Sequence, residues 1–446
     1  MKLKINHIII CIGLLITVQL YSQENWDLKK CINYAIENNL DHYIFQLDEE
    51  TAKVNSFQSK MNVLPGVSAG TDYGTRYGRY VDDNNRLVDS KSWSNSYSLS
   101  TNLTVFSGFQ QINSISYYNY RKQASYWNTL KSKDDLAFSV LMAYYDIVYY
   151  RGLVKITQEQ LDLSAYNLKK AEAEVSIGTK SNADLAEIQA NYEFEKLNLV
   201  QAQNNLAEAE IIIAQKLNLP SDKAVSVIYD SSRIFLESAT STINDSSVYI
   251  FMDNSPQLQS SEAELNAARK NIAIQRGGFS PSISFRASLG SSFYETDTNE
   301  YGSLKPYSTQ LKNHRGEYVG VSMSIPIFQR FSNMSNVKRA KINYEKATTD
   351  YQNQKLELYY QLSNDIRKWK ALEVEFTQMT KQVEANELAY KAALRKYEEG
   401  LNGIIEMLTV KSRLANSKSQ LLQTRLQWEI QYKLMEFYKG TRFWEI

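Results

Sequence analysis

The chain of 446 residues has little with which to cross-link, kink or ligate itself. Of its two cysteines, Cys11 sits in an apolar N-terminal run, and Cys31 alone cannot make an internal disulfide. There are six prolines and none between Pro65 and Pro220, so nothing in that stretch forces a helix to stop. His42 and His314 are far apart and carry no ligand spacing, which reads as satisfied histidines rather than a metal site. No glycine-rich phosphate loop occurs, no cofactor is implied, and energy for any transport has to come from a partner. Fifty basic side chains face 49 acidic ones, which excludes a global basic field for nucleic acid. Beyond Ser22 no apolar run approaches 18 residues, so helices cannot span a membrane and a β-barrel is the remaining way across.

The N-terminus reads as a targeting segment, residues 1–22. Lys2 and Lys4 form a basic start, Ile8–Leu20 an apolar core, and Ser22 a small residue before an expected cleavage. The apolar run of about 13 residues is short of the roughly 20 that a spanning helix needs.

Apolar positions then recur every seven residues. Val154, Leu161, Leu168 and Val175 form one series; Leu185, Tyr192, Leu199, Leu206 and Ile213 form another. The break at Ser176–Ser181 predicts two long helices folded back at a tight tip around Gly178. A helix over Gln110–Ile177 would be roughly 100 Å long, far more than a compact soluble domain needs.

The pattern returns 222 positions later. Phe376, Val383, Tyr390 and Tyr397 precede Gly400, and Met407, Leu414, Leu421, Trp428 and Met435 follow it; Asp184 maps onto Glu406. Nearer the start the offset is 216, with Asn38 on Asn254 and Pro65 on Pro281, the change falling in the loop-like Glu295–Lys312 region. The chain is thus read as a duplicated unit. Its expected divisions are a first repeat at 23–220, a linker at 221–244, a second repeat at 245–438 and a C-terminal segment at 439–446.

Each repeat is expected to open on a helix, the first spanning Trp26–Met61, and then to change to a period of two. Val67–Gly78 and Trp93–Phe106 alternate apolar or aromatic with small polar residues, with Tyr80–Ser92 read as a loop; Ile283–Phe293 and Val319–Ile327 do likewise. Each run is near the length of a tilted membrane strand. Apolar faces set against serine and glycine faces suit lipid outside and water inside, with Leu99, Leu103, Val321 and Ile325 toward lipid. Tyr77, Trp93 and Tyr294 are read as an aromatic belt. Four strands cannot close a barrel, so other copies of the chain must complete it; two, three or four protomers all satisfy the sequence.

These features resemble the TolC family of outer-membrane efflux proteins. The likeness rests on Ala35–Asn39, on Leu64-Pro65 and Ser280-Pro281 before strands, and on Phe106-Ser107-Gly108. Most specific are the tips, Val175–Gly178 with Asp184-Leu185 and Lys396–Gly400 with Glu406–Leu408. It covers Trp26–Tyr438. The resemblance implies a mainly α fold with a membrane β-barrel part: a homotrimer sharing a twelve-stranded barrel, continued by a helical tunnel into the periplasm. It also implies a periplasmic adaptor (membrane fusion) protein and an inner-membrane transporter as partners. Segments 221–244 and 439–446 would form a belt around the tunnel.

Gly66-Val67-Ser68-Ala69-Gly70 matches a serine-nucleophile pattern, yet it opens an alternating strand rather than an elbow, so no enzyme is expected. The competing class is a periplasmic coiled-coil adaptor, which needs neither two hairpins nor lipid-suited strands. At the tips, marked by Gly178, Gly400 and Gly403, Asp184 and Glu406 are read both as helix-capping carboxylates and as an acidic constriction. Ile177, Leu401 and Ile404 are read as packing that helps close the opening.

Overall fold

The computed structural model describes residues 25–81, 85–220, 226–229, 251–295 and 302–445. The targeting segment and most of 221–244 lie outside them. The chain divides into two compact units: residues 47–128 with 257–354, and the remainder, made of 1–46, 129–256 and 355–446.

The first of these units holds the sheet. Strands β2 (Gly66–Val81), β3 (Leu87–Ser107), β5 (Ser282–Tyr294) and β6 (Gly316–Ser324) form one antiparallel sheet in the order β2-β3-β5-β6, leaving β2 and β6 as its edges. The register keeps the two-residue alternation in phase across all four strands. Ala69 pairs with Leu99 and Leu99 with Leu289; Leu103 pairs with Phe285 and Phe285 with Val321. Ser68, Ser100 and Ser288 pair on the other face. A bulge between Thr104 and Phe106 interrupts the ladder, which resumes with Phe106 opposite Ile283 and Ser107 opposite Ser282.

Three strand expectations need correcting. Most of Tyr80–Ser92 is not loop, because β2 runs to Val81 and β3 begins at Leu87. Polar residues can extend a ladder wherever its backbone pairs, so polarity there did not mark a turn. Ile325 and Ile327 lie past the end of β6, where Pro326 has no N–H to donate. The Glu295–Lys312 region contains the start of a short helix, Tyr307–Asn313, which packs on β5. There Gln310, fully buried, accepts from the Tyr294 N–H at 2.9 Å and donates to the Lys305 carbonyl at 3.0 Å.

The expected first helix is also divided. Asn25–Trp26 is a two-residue strand, β1, paired in parallel with β4 (Ser226–Val227), and helices α1 (Leu28–Asn38) and α2 (Leu40–Met61) follow. Asn39 breaks the helix with an extended backbone. Its Oδ1 accepts from the His42 N–H at 3.0 Å, and its Nδ2 donates to the Lys216 carbonyl at 3.0 Å. The residue thus caps one helix and ties it to another.

The long helices are α3 (Gln110–Ser176), α4 (Asn182–Lys216), α7 (Ser332–Glu398) and α8 (Ile404–Tyr438), with α5 (Pro256–Gly277) before β5 and the Tyr307–Asn313 helix as α6. Helices α3 and α7 both have 67 residues, and α4 and α8 both have 35. Where β3 turns into α3, Gly108 and Phe109 both have φ of 62°; 222 positions on, Arg330 and Phe331 have φ of 49° and 59°. A Cβ on Gly108 would stand 2.5 Å from the Gly277 carbonyl, so that position requires glycine. Along α8 the seven-residue stripe is core, with Met407 and Met435 fully buried and Leu414 and Trp428 under 10% exposed.

Candidate functional site: a two-faced sheet and a pair of helical tips

On the apolar face of the sheet Leu99 is 47% exposed and Val321 68%, whereas Leu103 is half-buried. A single chain therefore leaves much of this face uncovered. Tyr77 is exposed with Lys91 over its ring at 5.4 Å, and Tyr294 is exposed at the end of β5. Trp93 is placed differently from a free belt residue. Its ring lies 5.8 Å from Tyr73 and 4.4 Å from Phe293, which itself meets Tyr307 of α6 at 5.0 Å. The opposite face carries Ser98, Asn102, Ser322 and Ser324.

The two tips close in the same way. Gly178 has φ of 79°, its N–H donates to the Val175 carbonyl at 3.0 Å, and the Thr179 N–H donates to Glu174 at 2.9 Å. Gly400 has φ of 74°, with the Gly400 and Leu401 N–H groups donating to Tyr397 at 3.1 Å and Lys396 at 2.8 Å. Both are Schellman closures whose left-handed residue favours glycine. Gly403 differs: with φ of −70° it is the N-cap of α8, and its backbone makes no demand that only glycine meets.

Asp184 is half-buried in the first turn of α4, where its N–H donates to the Ser181 Oγ at 3.1 Å and its carboxylate accepts from the same hydroxyl at 2.9 Å. Glu406 is exposed in the first turn of α8, whose N-cap glycine offers no side-chain cap. No interaction among the described residues joins the two carboxylates within one chain. Behind the tips, Ile188, Ile404, Met407 and Ala171 form a buried cluster. Ile404 is thus core, but Ile177 and Leu401 are 74% and 69% exposed and lie outside that cluster.

A profile of the outer membrane efflux protein family matches residues 32–219 and 249–438. The chain belongs to that family. This is the family that its tips and strands resemble, and it sets aside the adaptor alternative. The chain is similar to the probable efflux pump outer membrane protein TtgC of Pseudomonas putida, at 23% identity over 90% of this chain and 80% of the relative. It is also similar to toxin and drug export protein A of Aggregatibacter actinomycetemcomitans, at 20% identity over 89% of this chain and 82% of the relative. Among solved structures, the outer membrane protein VceC of Vibrio cholerae has the same fold, with a TM-score of 0.79 at 13% identity over 93% of this chain and 96% of that one. The protein is an outer-membrane efflux component, and its family is one of channels rather than of enzymes.

In this efflux protein the serine-nucleophile pattern is structural. Ser68 lies within β2, its Oγ 3.0 Å from the Ser100 Oγ, and not on a strand-to-helix elbow. His42 Nδ1 meets the Ser132 Oγ at 2.7 Å, and His314 Nδ1 meets the Ser292 carbonyl at 2.8 Å.

Two polar clusters escaped the sequence reading. At the tip, Lys180 pairs with Glu174 at 2.7 Å, reaches the Tyr397 hydroxyl, and lies 4.3 Å above the Tyr397 ring. Burial works against its charge, but the Glu174 carboxylate and the Tyr397 hydroxyl outweigh it and hold the ammonium above its usual pKa. In the α8 stripe, Lys411 is 2% exposed and donates to the Gln160 carbonyl at 3.2 Å and to Ser164 and Glu195 at 3.4 Å. Burial lowers its pKa and Glu195 opposes that shift. A signal existed for Lys411, which stands four residues after Met407 and three before Leu414 in an otherwise apolar seam. Nothing in the sequence pointed from Lys180 to Tyr397.

Proposed function

We propose that this efflux protein is the passive exit duct of a tripartite export system, built from three copies of the chain in the outer membrane. The observation that carries the reading is the four-stranded sheet with two open edges, β2 and β6. Unpaired backbone groups in lipid cost several kcal/mol each, so the edges must find partners. Cyclic symmetry supplies them by setting β2 of one copy beside β6 of the next. Val67 on β2 and Val319 on β6, 69% and 72% exposed in one chain, have the apolar character that lipid at such a seam favours.

In this reading Leu99, Leu103 and Val321 face lipid, the serine face lines water, and Tyr77 and Tyr294 sit at the membrane surface. The two repeats, 23–220 and 245–438, each contribute two strands and one hairpin, and 221–244 with 439–446 form the belt. An inner-membrane transporter supplies the energy and a periplasmic adaptor hands over the cargo. Both named relatives are exporters, which supports release of cargo from the cell. The protein moves its cargo without chemistry and binds no cofactor and no nucleic acid.

Native mass determination of detergent-extracted protein tests the assembly. A mass of three chains is expected. Recovery as a monomer from the periplasm without detergent would overturn the proposal.

A further inference from the structure

Within the unit that holds the sheet, α3, α5 and α7 border a hollow of about 540 Å³. Its polar lining consists of Tyr120, Asn266, Arg269, Lys270, Arg276 and Tyr344, and no carboxylate lines it. The charge there is not a local accident. After Glu264, α5 has no acidic residue through its end at Gly277; α3 has none before Asp134 but carries Arg121 and Lys122; α7 has none before Glu345 but carries Lys338, Arg339 and Lys341. In a chain with 50 basic and 49 acidic residues, three neighbouring helix segments are thus purely basic.

Some other cations of this unit are neutralised within the chain. Lys53 meets Glu49 and Glu50 at 2.8 Å, and Arg121 meets Glu264 at 3.2 Å. Arg269, Lys270 and Arg276 form no ion pair among the described residues. Arg269 and Arg276 are seven positions apart, which sets both on one face of α5 two turns apart. Cations that line one hollow with no carboxylate facing them add their fields and attract an anion. Guanidinium groups match the oxygens of phosphate in paired hydrogen bonds, and tyrosine hydroxyls with an amide complete such a donor set.

We propose that this hollow binds a phosphate oxyanion, borne either by a lipid headgroup or by a free phosphate compound. The site is distinct from the acidic tips and does not depend on the duct reading, since binding is measured on the purified protein without transport.

The test is calorimetric titration of the full chain in neutral detergent with two probes, inorganic phosphate and dihexanoyl phosphatidic acid. Saturable binding of at least one probe is expected, weakening as salt rises. It should fall about tenfold or more in Arg269→Gln/Arg276→Gln, because charge-assisted hydrogen bonds are lost. Glutamine keeps helix propensity, and unchanged circular dichroism and native mass confirm that the variant folds. Lys53→Gln, which removes a cation already paired, should leave binding unchanged. Binding of both probes assigns the site to free phosphate compounds; binding of phosphatidic acid alone assigns it to a lipid headgroup. No saturable binding of either, equal affinity in the double arginine variant, or an equal loss in Lys53→Gln would overturn the proposal.

Discussion

Asp134 shows how a single carboxyl group couples the C-terminal segment to one of the two longest helices. Its Oδ2 accepts from the Arg442 guanidinium at 2.6 Å, while its Oδ1 is buried without a hydrogen-bond partner. Burial raises its pKa to about 6, against the pull of Arg442, with Asp135 adding to the rise and Lys133 opposing it. An ordinary aspartate titrates near 3.9, so between pH ~4 and ~6 the folded chain binds more protons than the unfolded one. Stability therefore falls as pH rises through that window, by up to about 3 kcal/mol, and the penalty is complete above it. Amide exchange of residues 439–445 should be slower at pH 5 than at pH 7 once intrinsic rates are corrected. Asp134→Asn should remove the difference; an unchanged difference would show that another group controls it. None of this was legible in the sequence, because partners 308 residues apart leave no local pattern. The glycines at 178 and 400 were legible, because a helix that ends in a left-handed residue selects glycine at that one position.

Among the elements, the long helices were readable and the strand ends were not. A seven-residue stripe repeats over many turns, so one irregular residue cannot hide it; Lys411 interrupts the seam and is buried in place of a leucine. That burial makes a test of register. Lys411→Met alone leaves Glu195 buried without its cation and should destabilise by about 3–5 kcal/mol. Lys411→Met with Glu195→Met should recover most of the loss, as buried ion pairs often break even with apolar pairs. Thermal unfolding of the four members of this cycle measures the coupling, and purely additive losses would place the two side chains in separate environments. Strand ends were misread because the alternation stops before the backbone ladder does, as in the Arg79–Asp89 pairing beyond Tyr77–Lys91. Within the ladder the alternation is sound enough to predict opposite outcomes for adjacent residues. Leu103→Arg, on the face shared with Phe285 and Val321, should cost about 2–4 kcal/mol near the membrane midplane, and Asn102→Arg should be tolerated. Equal loss of assembled protein from both would invert or void the face assignment.

For the whole molecule, the duplication was the most legible feature, since lengths, tips and the strand-to-helix step all repeat at one offset. The identity of the residues that narrow the duct was less so, because helix capping and axial charge select the same side chains. Asp184 is held by Ser181 in a local cap, and that role alone accounts for its presence. Glu406 has no such partner: its N-cap is Gly403, and its carboxylate is exposed in the first turn. A helix dipole favours it by only about 0.3–1 kcal/mol, which leaves its side chain available to an axis that one chain does not contain. Three copies would bring six such carboxylates to one opening, and a ring of acids favours cations. Ile177 and Leu401, exposed in one chain, would pack between copies beside that ring. Removing both acids by Asp184→Ala/Glu406→Ala should raise single-channel conductance in a planar bilayer and abolish cation preference. Glu406→Ala alone should give most of the selectivity change, and Asp184→Ala alone should mainly weaken the start of α4, by about 0.3–1 kcal/mol. Unchanged conductance and selectivity in the double variant would leave both residues as helix-end carboxylates and move the constriction elsewhere.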